Sequence, residues 1–159
     1  MLLLTAMAFA DPSSLTGQFT MITDPAAVEA AQQAELERSL ASLPSLLRPL
    51  ASPLLRPTLF YCKSYHLVVT PDSFSNQCDD KPLLQRPINR DALPLQVGDL
   101  TFTSRVSVEG DQVVLVLEGE HGTRTTRYTP TPSGLHVDVS VSSPRLDTPL
   151  TWSIEYRRI

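Results

Sequence analysis

Arg124, Arg127, Arg157 and Arg158 are the residues of this chain with the most chemistry to offer. They lie in two strand-like segments beside Tyr128 and Tyr156, and guanidinium groups next to phenols form a donor set suited to an oxyanion. Parity separates them. Arg124 shares the alternation of Thr126 and Tyr128, and Arg158 that of Trp152, Ile154 and Tyr156. Both would face inward if those sets line an interior. Arg127 and Arg157 have the opposite parity and are expected in solvent. A guanidinium inside a closed β-structure is costly unless paired, and an anionic head group could supply the pairing with two hydrogen bonds. A competing reading puts all four arginines on the surface near strand ends. Tyr128 and Tyr156 are then core aromatics with wet tips, and Trp152 is plain core.

Catalytic chemistry is scarce. His66, His121 and His136 are isolated, with no His-x-His or His-x-x-x-His pair, so a metal site would need long-range convergence. No Gly-x-Ser-x-Gly elbow or phosphate-binding glycine loop occurs. Asp79-Asp80 reads as a solvated turn rather than a catalytic pair. A non-enzymatic protein without metal or cofactor is expected. The formal net charge of -4 argues against sequence-independent binding to nucleic acid, which needs an excess of Lys and Arg.

The elements that position these residues form an antiparallel meander over 100–158. Leu100, Phe102, Val106 and Val108 share one parity; so do Leu135, Val137, Val139 and Val141, and Leu150, Trp152, Ile154 and Tyr156. Such alternation buries one face of each strand. Turn signals at Gly110-Asp111, His121-Gly122 and Pro132-Ser133-Gly134 and the loop 143–149 separate strands at 101–109, 112–118, 123–129, 135–142 and 150–158. A meander has two edges, and closing it into a barrel removes them. The fold class expected is mainly β: a closed or nearly closed small barrel, sealed by 16–21 lying beside 150–156. A cavity would be lined by Phe102, Val114, Val137, Trp152 and Tyr156.

The N-terminal half adds a leader, helices and a hairpin. Residues 1–10 are apolar except Thr5, and Ala8-Phe9-Ala10 fits a small-x-small cleavage site, as in a secretory signal peptide; a hydrophobic first strand or helix is the alternative. The domain is then 11–159, in a periplasmic or secreted protein, and no segment after the leader has the roughly 20 apolar residues that span a bilayer. After a short strand at 15–22, Asp24-Pro25 caps a helix over 26–42. Leu36, Leu40, Leu43, Leu47, Leu50 and Leu54 make a heptad-like stripe, but Pro44, Pro49 and Pro53 break it into short helices. The helical segment, about 25–56, is a lid over the barrel mouth, a plug over an ordinary core, or a docking surface for a protein partner. From 58 the pattern turns to strand, with a hairpin about the turn 70–73 that brings Cys62 and Cys78 nearly opposite. In an exported protein that placement predicts a disulfide; two buried free thiols or a metal site short of ligands are the alternatives. Pro82, Pro87 and Pro94 limit 81–97 to short or edge strands, of undetermined inward parity.

One strand, two helical segments and then some eight antiparallel strands resemble the calycin barrels, the lipocalin and fatty-acid-binding-protein group. Leu15-Thr16-Gly17-Gln18-Phe19 is similar to the Gly-x-Trp first-strand signature, with Phe19 where Trp is usual. The terminal Tyr156-Arg157-Arg158 resembles the aromatic-plus-basic last strand of fatty-acid-binding proteins, though without their Arg-x-Tyr order. Ser143-Pro144-Arg145-Leu146 together with that terminus looks like a pattern in small exported bacterial proteins of unassigned function. The resemblance implies a barrel with an apolar cavity under a helical lid, holding a lipid or fatty-acid-like molecule. Arg124 or Arg158 would then meet an acidic head group, with Tyr128 and Tyr156 as hydroxyl donors. The alternative is an envelope structural or interaction module with a filled barrel.

Overall fold

The computed structural model describes residues 11–97 and 99–159; the leader expected over 1–10 lies outside them. A 3-10 turn at Pro12–Leu15 precedes β1 (Gly17–Met21), α1 (Pro25–Ala41) and α2 (Arg48–Leu55). Nine strands follow: β2 (Ser64–Val69), β3 (Ser73–Cys78), β4 (Leu84–Pro87), β5 (Leu93–Val97), β6 (Leu100–Glu109), β7 (Gln112–Gly119), β8 (Gly122–Thr131), β9 (Gly134–Ser142) and β10 (Leu150–Arg158). The proline-rich stretch 81–97 supplies β4 and β5, one strand more than the eight expected.

All ten strands form one antiparallel sheet in the order β4-β3-β2-β1-β10-β9-β8-β7-β6-β5. The sheet curls into a nearly closed barrel. The first strand lies beside the last as expected, but the pairing sits at the far end of β10 and not along 150–156: Phe19, Thr20 and Met21 pair with Arg158, Arg157 and Tyr156. The β4 end of the order meets β5 and β6 at the other end through side chains and a single bridge. Ile88 bridges Val106 in parallel, and Asn89 N donates to Val106 O at 2.8 Å. Arg86 Nε donates to Ser104 Oγ at 2.6 Å and its Nη2 to Pro94 O at 3.2 Å.

The inward residues follow the expected alternation through β8, β9 and β10, where Arg124, Thr126, Tyr128, Leu135, Val137, Val139, Val141, Leu150, Trp152, Ile154 and Tyr156 are all buried. In β5 the half-buried Leu95 stands opposite Phe102 and shares its face. Opposite walls touch. Tyr65 of β2 packs edge-on against Tyr128 of β8 at 5.6 Å and lies 5.2 Å from Tyr156, while Phe74 of β3 lies 5.3 Å from Tyr128. Each such ring pair contributes about 0.5–1.5 kcal/mol beyond the area it buries. Tyr128, Tyr156, Phe19, Phe74, Leu67 and Leu135 are at most 1% accessible. The mid-barrel is filled by its own side chains.

The antiparallel seam puts the helices, which follow β1, at the end where β10 begins. Asp24 caps α1 by accepting from Ala26 N at 3.1 Å, with Pro25 at its first turn. Val28, Gln32, Leu36 and Ser39 form the buried face, at the spacing that keeps one side of a helix inward. Glu35 accepts from Thr151 N at 2.8 Å and Arg38 donates to Pro149 O at 2.8 Å, which ties the helix to the start of β10. The leucine stripe does not continue onto a common surface. Pro44 ends the first helix's phase, and α2 restarts with Leu55 buried while Leu46, Leu47, Leu50 and Leu54 are exposed, Leu50 to 67%.

The predicted disulfide is present, Cys62 to Cys78, with Cα atoms 5.4 Å apart. It rests on the hairpin register, in which Tyr65 faces Cys78. Residues 59–61, read from sequence as strand, are irregular here. The carbonyls of Thr58 and Phe60 accept from Arg124 instead of a strand neighbour.

Candidate functional site

Arg124 enters the barrel because β8 alternates without a bulge from Gly122 to Thr131. Its ladder partners, Leu117 and Val141, are apolar. Arg124 as a whole residue is 8% accessible. Nη1 donates to Thr58 O at 2.6 Å and Nη2 to Phe60 O at 3.1 Å. The Phe60 ring covers it at 3.7 Å, and the Trp152 ring stands 5.5 Å away. Among the described residues no carboxylate lies within ion-pair distance of it. Burial disfavours its charged form and lowers its pKa, yet guanidinium stays protonated in proteins. It is therefore a cation held by two neutral oxygens and two rings.

Three tyrosines adjoin it. The Tyr156 hydroxyl donates to Cys62 O at 2.7 Å, and the Tyr128 hydroxyl accepts from Asn76 Nδ2 at 2.7 Å. Burial raises the pKa of Tyr65, Tyr128 and Tyr156, so all three are neutral phenols. Asn76 Oδ1 and Trp152 Nε1 are buried without a hydrogen-bond partner. Each such orphan costs on the order of 1–3 kcal/mol.

Arg124, Tyr128, Val137, Trp152 and Tyr156 thus converge in the interior. Phe102 is half-buried, and its ring packs so close to Gly119 that a side chain there would meet it at 2.8 Å. Val114 does not line the interior. It stands opposite Arg127 and Ser107 on the outer face, in an open groove of about 450 Å³ with Arg105, Glu109 and Glu118. β7 reads Val113-Val114-Leu115-Val116-Leu117, apolar at both parities, so alternation could not assign its inward face; pairing with Tyr128 and Thr126 assigns Val113 and Leu115. Arg158 is exposed, at the barrel end away from the helices. It donates to Thr16 O at 2.6 Å and Ser14 O at 2.5 Å and lies 4.7 Å over the Phe19 ring. Its work is to hold the N-terminal turn, whose Leu15 is fully buried. Arg127 and Arg157 face outward as expected, Arg127 paired with Glu109. Asp79 accepts from Ser64 N at 2.8 Å at a positive φ of 49°, a turn residue as read.

Sequence reasoning missed Thr58, Phe60, Tyr65, Phe74 and Asn76. Tyr65, Leu67 and Val69 alternate, as do Phe74 and Asn76, and that signal would have found three of them. Nothing local marks the two carbonyl acceptors of the site.

On the outer wall, His136 sits between Glu155, which its Nδ1 contacts, and Asp138, 3.0 Å from Nε2. Partial burial opposes its charge, but the hydrogen bonds to Glu155 and Asp138 prevail and raise its pKa. A raised folded pKa stabilises fully below the unfolded value, about 6.5, and the gain is lost as pH rises through the folded value. The melting temperature is expected to fall over that window, and His136→Gln to flatten the fall in thermal unfolding scans. A pH-independent difference between the two proteins would refute this.

No protein-family model matches this chain by sequence, and no curated protein matches it. Solved structures do match in shape. A fatty acid transporter, REP1-NXSQ, has 11% identity and a TM-score of 0.57, over 91% of this chain and 96% of that one. The fatty-acid-binding protein 1 of Echinococcus granulosus has 8% identity and a TM-score of 0.53, over 92% and 98%. A secretory abundant heat soluble protein of Ramazzottius varieornatus has 10% identity and a TM-score of 0.55, over 92% and 96%. The chain has the fold of the fatty-acid-binding-protein and lipocalin-like barrels. Among the described residues no helix is long and apolar enough to cross a membrane.

Proposed function

We propose that this is an exported, non-enzymatic binding protein for a hydrophobic or amphipathic small molecule, fatty-acid-like, held at Arg124 within the barrel. The observation that carries the reading is a buried guanidinium with no acidic partner among the described residues. A carboxylate head group would give it charge-assisted, bidentate hydrogen bonds. Trp152, Tyr128 and Tyr156 surround the head, and the unpartnered Trp152 Nε1 is a further donor. Fold alone does not fix function; the similar structures titled as fatty-acid binders or transporters add support, and the disulfide supports an oxidising compartment.

Because the mid-barrel is filled, the tail must displace side chains or widen the wall. The test is 1-anilinonaphthalene-8-sulfonate fluorescence with oleate as competitor. Enhancement at micromolar protein, reversed by oleate, is the expected result; absence of both would remove the carrier reading. A second reading, an envelope interaction module with a filled barrel, is favoured by that closed interior and by exposed Leu46, Leu47, Leu50 and Leu54. It predicts dye binding that oleate does not reverse and that Leu50→Ser abolishes.

A further inference from the structure

We propose that residues 58–60 are an internal stand-in for a ligand's oxyanion, so the barrel latches itself shut with its own backbone until a carboxylate replaces two carbonyls on Arg124. The inference rests on the carrier reading and adds the regulation of its site. Thr58 O and Phe60 O present one acceptor to each terminal nitrogen of the guanidinium, at 2.6 and 3.1 Å. Two oxygens on one fork are what a carboxylate would offer. The Phe60 ring completes the cover at 3.7 Å while itself 39% exposed, so it lies between the buried cation and solvent.

The segment is built to move. Residues 59–63 pair with no strand before Ser64, apart from Lys63 O, which accepts from Met21 N at 2.9 Å. Leu59 N holds only the local carbonyl of Arg56, at 3.1 Å. Segments with few ladder bonds open at low free-energy cost. The fixed point is Cys62: its sulfur is bonded to Cys78 and its carbonyl accepts from Tyr156. Carbonyls are neutral and a carboxylate is charged, so the exchange strengthens Arg124's hydrogen bonds. Neutral esters and alcohols gain nothing by it. The ligand class is therefore an elongated apolar carboxylate.

Hydrogen exchange on the native protein tests the latch without a variant. Saturating oleate is expected to raise exchange at the amides of 58–61, and methyl oleate is not. Phe60→Ala, which loosens the cover, is expected to bind oleate about tenfold more tightly, because less of the protein is in the closed form. Unchanged or slower exchange at 58–61 with oleate bound would overturn the latch, as would equal or weaker oleate binding by Phe60→Ala. If neither protein binds oleate, whether or not the dye binds, the carrier reading itself fails. If both bind alike, only the latch fails.

Discussion

Arg124→Met is expected to weaken oleate binding about 30–100-fold without weakening that of methyl oleate. That range corresponds to ~2–3 kcal/mol, the worth of charged hydrogen bonds in a dry site. Methionine is unbranched and fills irregular gaps, so the space between Phe60 and Trp152 stays occupied. Stability responds in two opposing ways. The carbonyls of Thr58 and Phe60 lose their donors, at about 1–3 kcal/mol each if they stay dry. Removing a buried charge that lacks a counter-ion offsets that loss, because its desolvation penalty goes with it. The melting temperature should therefore move little, and paired titrations with acid and ester read the binding effect cleanly. An equal loss for acid and ester would mean that Arg124 shapes the site without meeting the head group.

Reducing the Cys62–Cys78 bridge, or replacing both cysteines by serine, is expected to cost about 3 kcal/mol. The bridge closes a loop with a separation of 16 residues, and the chain-entropy model gives roughly that value. For a chain of this length the melting temperature should fall by about 6–12 °C. Thermal unfolding with and without a thiol reductant measures it. The loss should centre on residues 58–64, because the bridge anchors the irregular segment between α2 and β2 while the ladder from β6 to β10 does not depend on it. A reduced protein melting at the same temperature would show that the hairpin register alone holds β2 on β3.

What was legible from sequence followed one physical rule, that a strand with one wet face alternates. β8, β9 and β10 obey it: Val137, Trp152 and Tyr156 are legible as interior from alternation alone, and Arg124 and Tyr128 share an inward parity that by itself leaves a surface reading of the arginine open. The rule fails where both faces are apolar, and Val114 was assigned to the wrong face for that reason. It fails at strand ends too. Arg158 has inward parity, but at the last position of β10 its side chain turns onto the carbonyls of Thr16 and Ser14. The helices were legible from their caps and prolines, whereas the direction of α2 was not, since a break at Pro44 resets the phase of everything after it. Least legible were Thr58 and Phe60. They contribute backbone oxygens, and every residue type but none in particular carries one.

The junction of β4 with β5 and β6 has a mechanical consequence. Elsewhere around the circumference, widening the cylinder would break rows of main-chain hydrogen bonds at once. At this place the staves are stitched mainly by Arg86, whose long arm reaches Ser104 and Pro94, and by the Ile88–Val106 contact. A flexible side chain can follow a moving partner in a way a ladder cannot. The wall thus has an expansion joint, and a guest molecule that needs room would take it there, leaving the eight-strand run from β3 through β6 unstrained.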